Sequence, residues 1–375
     1  MPNSKLNRYM MEKDTFKLVK KIVNQTFTHL SKPLKKNLAD LIMAFCYNRS
    51  FTLWEIASCL SGDTTTKHKH KRLIYFLDHF SLDRAFWQSV ILTVFSLPGF
   101  RFKSRPYLTL ALDATTLKDD FWILAVSVSY QGRSIPIYLK SWADVNTSYD
   151  YWERVGQVLE ELKELLPEGY AYELVADRGF QGKKMVEFLG ALDWEYVVRV
   201  NGCHLMREAD GSEWIQLNLF ADGWYEQVYL SKSNPIGPLN VAVNSVEAED
   251  GEQAYWYLMS NVGERKRALQ SYEQRFWIEE TFKDLKSKLK WESYTKKVPT
   301  QQRLTKCVAI SGLSYAIQTS LGSQIELSES EAKKTSLFNR FRQMFRRTNQ
   351  TLQKIITRFI SMITTYITRT KLAFL

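Results

Sequence analysis

The sequence predicts a mixed α/β (α+β) protein in which strands and helices share one core. Three observations lead to this prediction. Apolar runs typical of buried strands are concentrated between residues 106 and 200. Segments with helical spacing separate the later strands, and residues 1–100 contain only segments with helical spacing. Strands that alternate with helices indicate a core in which both kinds of element pack together.

The predicted core elements follow one another in a definite order. The segments "YLTLALDATT", "DFWILAVSVSY" and "SIPIYLKSW" are separated by turn residues and predict an antiparallel meander. Next, "SYDYWERVGQVLEELKELL" predicts a helix, "AYELVADRG" a buried strand, "KKMVEFLGAL" a helix and "WEYVVRV" a further strand. Residues 101–200 therefore form the first part of the predicted core.

Four other regions complete the predicted organisation. Residues 1–100 are predicted to be helical, residues 201–260 to form a β-rich insertion, residues 261–298 to contain a core helix, and residues 299–375 to be basic and helical. In the first region, "SFTLWEIASCL" and "TTTKHKHKRLIYFLDHF" predict two short helices around a tight connection. This pair fits a helix-turn-helix DNA-binding unit, and it fits an ordinary basic surface helix equally well.

Charge and cysteine content limit the possible partners and compartments. The formal net charge of +11 favours a polyanionic partner, which is either nucleic acid or an acidic membrane surface. The four cysteines are far apart and form no CxxC pair, so the sequence predicts neither a disulfide framework nor a zinc site and fits a reducing cytoplasm. No apolar run has transmembrane length. We therefore expect a soluble cytoplasmic protein.

One predicted helix, "SYEQRFWIEETFKDLKSKLKWESY", carries four polar side chains on a single stripe. Tyr272, Arg275, Glu279 and Lys286 stand at positions i, i+3, i+7 and i+14, which fall within an arc of about 60°. A neighbouring apolar stripe would dock on the core, and it consists of Ile278, Phe282, Leu285 and Leu289. We expect the four polar side chains to stand at the rim of the docked helix.

Three carboxylates in three different elements form a candidate metal site. Asp113 and Asp177 each follow an apolar run and are predicted to end a strand, and Glu279 lies on the helix just described. Either aspartate alone also fits a turn residue or a helix cap. Three oxygen ligands suit Mg²⁺, and a pair of such ions can activate a water and stabilise the leaving oxygen of a phosphodiester.

These residues resemble a known family. Tyr272, Arg275, Glu279 and Lys286 match the Y-x2-R-x3-E-x6-K signature of the insertion-sequence-four family of bacterial DDE transposases. "LALDATT" and "LVADRGF" are similar to the surroundings of that family's two catalytic aspartates. The resemblance covers roughly residues 106 to 290 and includes the long insertion before the glutamate. It implies a ribonuclease-H-like catalytic core.

The resemblance also implies a role for each matched residue. Asp113, Asp177 and Glu279 would be catalytic and would hold two Mg²⁺ or Mn²⁺ ions. Tyr272, Arg275 and Lys286 would bind phosphates near the transposon end. Trp256, in "YWYLMSN", stands where the family has a tryptophan that stacks on a flipped base, although a lone tryptophan in a strand also fits a core residue.

The implied function is that of a cut-and-paste transposase, acting in the bacterial nucleoid on double-stranded DNA. It would bind the terminal inverted repeats as a homodimer in a synaptic complex, cleave through a hairpin intermediate and transfer strands into target DNA. Two alternatives stay open: an inactive DNA-binding protein derived from a transposase, and a metal-dependent nuclease without strand transfer. We further expect residues 64–72 and 340–347 to contact DNA phosphates or to help pair two protomers.

Overall fold

The computed structural model describes residues 2–48, 50–98, 100, 107–118, 120–143, 150–211, 213–247, 253–294, 300–325 and 335–346, and positions 355, 356, 358, 359, 362, 363, 365 and 367. Within them, helices and one large mixed sheet form a mixed α/β protein. None of the helices in these ranges is long and apolar enough to cross a membrane.

In the described part of the chain, five helices precede the sheet. They are α1 (Pro2–Thr26), α2 (Lys32–Tyr47), α3 (Leu53–Ser58), α4 (Thr66–His79) and α5 (Arg84–Phe95). Helix α2 buries a run from Leu38 to Phe45, because α1 and α9 (Gln301–Ser323) both pack against it. Side-chain caps begin two of the shorter helices: Thr52 accepts a hydrogen bond from the backbone N–H of Glu55, and Asp83 accepts one from that of Phe86.

The first three strands form the predicted antiparallel meander, and two further strands extend the sheet in parallel. The five strands are β1 (Tyr107–Leu117), β2 (Phe121–Tyr130), β3 (Arg133–Trp142), β4 (Ala171–Ala176) and β5 (Glu195–Arg199). They lie in the order β3-β2-β1-β4-β5. Helix α6 (Tyr151–Leu165) connects β3 to β4, and α7 (Lys183–Leu192) connects β4 to β5. Strand β1 is therefore antiparallel to β2 and parallel to β4.

The segment predicted as a β-rich insertion continues this same sheet. It contributes β6 (Leu205–Arg207), β7 (Ile215–Gln216), β8 (Gly223–Leu230), β9 (Ile236–Glu247) and β10 (Gln253–Ser260). Strand β10 pairs antiparallel with β5, so ten strands lie in one sheet with the order β3-β2-β1-β4-β5-β10-β9-β8-β6-β7. The chain leaves the first five strands after β5 and returns along β10, which lies next to β5 in the sheet.

Helix α8 (Arg265–Ser287) lies across one face of the sheet and contacts β1 to β5. Alternation along the strands puts Thr109 and Asp113 on the same face of β1. That face is the one α8 covers, because Arg275 of α8 contacts Asp113. A further ion pair on this face joins Arg267 Nη2 to Oε1 of the fully buried Glu173 of β4, at 3.4 Å.

The C-terminal half of α8 is anchored to β3 and to the last helices. The Thr281 hydroxyl donates a hydrogen bond to the Ser134 carbonyl at 2.6 Å. Arg133 pairs with Glu280 and Asp284 at 3.7 and 3.8 Å. Helix α9 packs on β3, and α10 (Leu337–Arg346) packs on α9. Contacts along its whole length therefore fix the position of α8 on the sheet.

Candidate active site

Asp113 and Asp177 occupy neighbouring positions on two parallel strands. The last paired residues of β1 and β4 are Leu112 and Ala176, and the next residue on each chain is one of the two aspartates. Asp113 does not end its strand, contrary to the sequence prediction. Strand β1 runs on to Leu117 because it keeps pairing with β2 after its pairing with β4 has stopped, and Asp113 stands opposite Ala125.

Asp177 caps a short 3-10 turn, Arg178–Phe180, that follows β4. Its Oδ1 accepts a hydrogen bond from the backbone N–H of Gly179 at 2.8 Å. Its Oδ2 lies 3.5 Å from Arg275 Nη2. The cap predicted as an alternative to ligation is therefore present, and it leaves the second carboxylate oxygen facing the cleft. The Asp177 side chain is 37% exposed and that of Glu279 50%, whereas that of Asp113 is only 11% exposed, so Asp113 is the innermost of the three acids.

Glu279 lies on α8 and is linked to the two aspartates by Arg275, which stands one turn earlier on the same helix. Arg275 Nη1 donates to Oε1 of Glu279, and Arg275 Nη2 lies 3.3 Å from Oδ2 of Asp113. With the contact to Asp177, one guanidinium touches all three carboxylates. The structure thus brings together the three acids predicted from sequence, although they are separated by 64 and 102 residues along the chain.

The site has more negative than positive charge. Burial raises the pKa of Asp113 to about 6; Arg275 opposes this rise, and the nearby carboxylates of Asp177 and Glu279 add to it. Burial disfavours the charge on Arg275, but Asp113 and the other anionic neighbours raise its pKa overall. Three carboxylates and one guanidinium leave a formal excess of two negative charges, which bound cations would neutralise.

The donor set fits a hard divalent cation, with Arg275 between the donors. In the described part of the chain, no three histidine, cysteine, aspartate or glutamate side chains are grouped so as to hold a metal ion as they stand. The oxygens of Asp113, Asp177 and Glu279 are the ligand type that Mg²⁺ and Mn²⁺ prefer. Binding at these oxygens requires Arg275 to withdraw, because its guanidinium contacts each carboxylate now.

Tyr272 does not stand at the rim of α8 as predicted, because its side chain is fully buried. Its ring packs edge-on against Trp256 and Phe276, with centroids 5.2 and 5.7 Å away. Burial raises the pKa of Tyr272, and the guanidinium groups of Arg275 and Arg199 oppose that rise. In this arrangement the tyrosine supports neighbouring aromatic rings. Arg275 is also buried rather than at the rim, since the carboxylates lie beneath the helix.

Trp256 lies on β10 with one face against α8. Its ring is stacked on Phe276, with centroids 5.5 Å apart and an interplanar angle of 25°. The side chain is half-buried, so part of the ring reaches the surface. Arg265 of α8 fixes the neighbouring strand β9 through Val243 and Asn244, the latter standing opposite Trp256. The tryptophan therefore packs against Tyr272 and Phe276 of α8, which together with Arg275, Glu279 and Lys286 form what we call the α8 surface.

Lys286 is half-buried in the last turn of α8. It follows Glu279 by seven residues, which is about two turns and about 10 Å along the helix axis. The seven-residue spacing returns to nearly the same face of the helix. Lys286 therefore lies about two turns from Glu279 on nearly the same face of α8.

The two predicted basic segments lie on helices outside the sheet. Lys67 and Lys71 of α4 are exposed and one turn apart. Arg72 instead pairs with the buried Asp40 at 3.2 Å, so it anchors α4 to α2 and is not available to a phosphate in this arrangement. On α10, Arg342 donates to the Lys288 carbonyl at 2.5 Å. Residue 347 lies outside the described residues.

Sequence reasoning missed two side chains that hold the turn after Asp177 in place. The Tyr151 hydroxyl donates to the carbonyl of Gly179 at 2.9 Å, two residues after Asp177. Gln181 accepts a hydrogen bond from the backbone N–H of Asn201 at 2.9 Å, which ties the same loop to the start of the insertion. No motif singles out either residue. Only the position of α6 and β5 beside the β4 end brings them to the site.

Comparison with known proteins gives distant structural likenesses alone. No family model matches the chain, and no curated protein matches it significantly. The solved piggyBac transposase synaptic complex with hairpin DNA is similar over 95% of this chain and 85% of that one, at 12% identity and a TM-score of 0.42. A. aeolicus Argonaute is similar over 55% of this chain and 28% of its own, at 15% identity and a TM-score of 0.24. Aa-Ago with externally bound siRNA is similar over 66% of this chain and 36% of its own, at 12% identity and a TM-score of 0.26. TM-scores below 0.5 do not establish a common fold, so the assignment of function rests on the site itself.

Proposed function

We propose that the chain is a cut-and-paste DNA transposase of the insertion-sequence-four type, with a ribonuclease-H-like core. The observation that carries the proposal is the meeting of Asp113, Asp177 and Glu279, from β1, the β4 end and α8, on one guanidinium. The order of β1 to β5, a meander followed by two parallel strands with helical connections, supports the proposed core. The net charge of +11 fits a DNA partner.

In the proposed reaction, Asp113, Asp177 and Glu279 would hold two Mg²⁺ or Mn²⁺ ions. Such ions supply activation of the attacking oxygen and stabilisation of the leaving oxygen. Water attacks the phosphorus at the transposon end, the P–O3′ bond breaks, and a 3′-hydroxyl is released. That hydroxyl then attacks a phosphorus of the opposite strand, where the P–O3′ bond to the flanking DNA breaks, so a hairpin closes and the flanking strand leaves with a 3′-hydroxyl. Reopening the hairpin frees the element for insertion into target DNA.

The other residues of the α8 surface would hold the DNA end during these steps. Arg275, once it leaves the carboxylates, and Lys286 would bind phosphates of the strand that bends into the hairpin. Trp256 would stack on an extruded base, with Tyr272 and Phe276 keeping its ring in place. Cleavage of two ends by two such sites would require a homodimer in the synaptic complex.

The experiment uses a labelled terminal fragment, taken from the DNA that flanks the gene and resolved under denaturing conditions into nicked, hairpin and fully cut species. Asp113→Ala and Glu279→Ala should abolish Mg²⁺-dependent nicking while end binding in a mobility-shift assay persists. Glu280→Ala is the matched control, because Glu280 is the next residue on α8, is 47% exposed and pairs with Arg133 instead. Nicking by Glu279→Ala at the parental rate would contradict the proposal.

The same assay separates transposition from the two alternatives. An inactive DNA-binding protein would bind the fragment without nicking it, and a simple nuclease would nick it without forming a hairpin. Lys286→Ala and Trp256→Ala should nick normally but form hairpins more slowly, since losing a stacking platform costs about 1–3 kcal/mol per base. If both variants nick and form hairpins at the parental rates, Lys286 and Trp256 do not hold the DNA end and only support the fold.

A further inference from the structure

We propose that Tyr151 is a positioning residue that fixes the carboxylate of Asp177 for cation binding. The inference rests on the proposed function and adds to it a residue outside the signature motif. Tyr151 is the first residue of α6, and its hydroxyl reaches the turn that follows β4. The hydroxyl donates to the Gly179 carbonyl at 2.9 Å.

A chain of hydrogen bonds runs from Tyr151 to Asp177 through Gly179. The Gly179 N–H donates to Oδ1 of Asp177 at 2.8 Å, while the Gly179 carbonyl accepts from Tyr151. Both polar atoms of this glycine are therefore occupied. Rotation of the turn would therefore break at least one of the two bonds.

The space around Gly179 shows how closely these groups approach one another. A Cβ atom added to Gly179 would lie 3.0 Å from Oδ1 of Asp177 and 3.9 Å from the Tyr151 hydroxyl. The absence of a side chain lets the backbone fit between the carboxylate and the phenol. This packing leaves Oδ2 as the Asp177 oxygen that faces Arg275 and the other two acids.

The Tyr151 ring is itself anchored to the strand beside Asp113. It packs against Trp122 of β2, with centroids 5.6 Å apart, and Trp122 stands opposite Thr116 of β1. The same ring lies 6.0 Å from Phe180, in the turn after Asp177. Tyr151 thus connects the strand pair that carries Asp113 to the turn that carries Asp177, while the pairing of β1 with β4 keeps the two aspartates close together.

The phenol is also suited to remain a hydrogen-bond donor. Burial, followed by the charges of Asp177 and Asp113, raises the pKa of Tyr151 above its ordinary range. The hydroxyl is therefore protonated throughout the pH range in which the carboxylates are ionised.

The experiment compares Tyr151→Phe with Tyr225→Phe in the full chain. Tyr225 is a matched control, since its hydroxyl also donates to a backbone carbonyl at 2.9 Å, that of Ala221, in the β-rich segment. Mn²⁺ affinity is measured without DNA by electron paramagnetic resonance, and nicking of the terminal fragment is measured as a function of Mn²⁺ concentration. Loss of one neutral hydrogen bond corresponds to about fivefold in Kd.

We expect Tyr151→Phe to weaken Mn²⁺ binding about fivefold and to raise the Mn²⁺ concentration for half-maximal nicking by the same factor. The nicking rate at saturating Mn²⁺ and metal-free end binding should stay parental, the two variants should lose a similar small amount of Tm, and Tyr225→Phe should match the parent in Mn²⁺ affinity and in nicking. Parental Mn²⁺ affinity in Tyr151→Phe, when the parent binds Mn²⁺ and Asp113→Ala does not, overturns the role of Tyr151 alone. A parent that neither binds Mn²⁺ nor nicks the terminal fragment at any Mn²⁺ concentration overturns the proposed function as well.

Discussion

Replacing Arg275 by glutamine should strengthen Mn²⁺ binding by the DNA-free protein. The guanidinium contacts all three proposed ligands, so a cation competes with it for the same oxygens. Arg275→Gln removes the competing charge and keeps a side chain of similar length. Loss of this arginine should also weaken DNA-end binding, because the proposed transfer of Arg275 to a phosphate can no longer take place.

The size of the effect follows from the contacts that the cation must displace. The separations of 3.3 Å to Asp113 and 3.5 Å to Asp177 are longer than ideal charge-assisted hydrogen bonds. The Asp177 side chain is also 37% exposed, so solvent screens its interaction. We therefore assign about 1 kcal/mol to each contact, below the usual range for charged hydrogen bonds. The contact with Glu279 is not counted, because that side chain is 50% exposed and solvent screens the pair. About 2 kcal/mol for the other two contacts corresponds to about thirtyfold in Kd.

The assay is a Mn²⁺ titration at pH 8, well above the Asp113 pKa of about 6. The matched control is Arg133→Gln, because Arg133 also contacts two acids of α8, Glu280 and Asp284, outside the cleft. Loss of Arg275 removes the charge that opposes protonation of Asp113, so the gain in affinity should shrink as the pH falls towards 6. Equal Mn²⁺ affinity of Arg275→Gln and the parent at pH 8, or an equal gain in Arg133→Gln, would refute the competition.

Two further predictions concern stability and DNA binding. Because burial raises the pKa of Asp113 from 3.8 to about 6, its ionisation destabilises the metal-free fold increasingly between those pH values and fully above them. Asp113→Asn should therefore raise the free energy of unfolding in denaturant by up to about 3 kcal/mol at pH 8 and leave it unchanged below pH 3.8. Glu279→Gln serves as the control, because Glu279 is exposed. A lower free energy of unfolding for Asp113→Asn than for the parent at pH 8 would contradict the reasoning. If Lys67 and Lys71 contact phosphates, Lys67→Ala and Lys71→Ala should each reduce the slope of log K for end binding against log salt concentration by about one. Lys163→Ala on α6 should leave this slope unchanged. An unaltered slope in the first two variants would leave the two α4 lysines as ordinary surface charges.

Much of the local structure could be predicted from the chain because hydrophobic periodicity reports directly on secondary structure. The apolar runs around "YLTLALDATT" and "YELVA" correspond to β1 and β4, and the 3.6-residue spacing of "SYDYWERVGQVLEELKELL" corresponds to α6. The spacing of Arg275 and Glu279 likewise placed both on one face of α8. These inferences needed only neighbours along the chain, which is why they could be made without coordinates.

Other features depend on pairing between distant segments and were decided by the tertiary structure alone. Asp113 lies inside its strand because β2 extends the pairing of β1 beyond the end of β4. The periodicity of α8 shows which residues share a face but not what covers that face, so it did not reveal that Tyr272 is buried or that Arg275 reaches three carboxylates. Tyr151 had no sequence signal, because its part in the site arises only where α6 meets the turn after β4. A side chain's spacing is a local property, whereas its partner is set by the packing of elements far apart in the sequence.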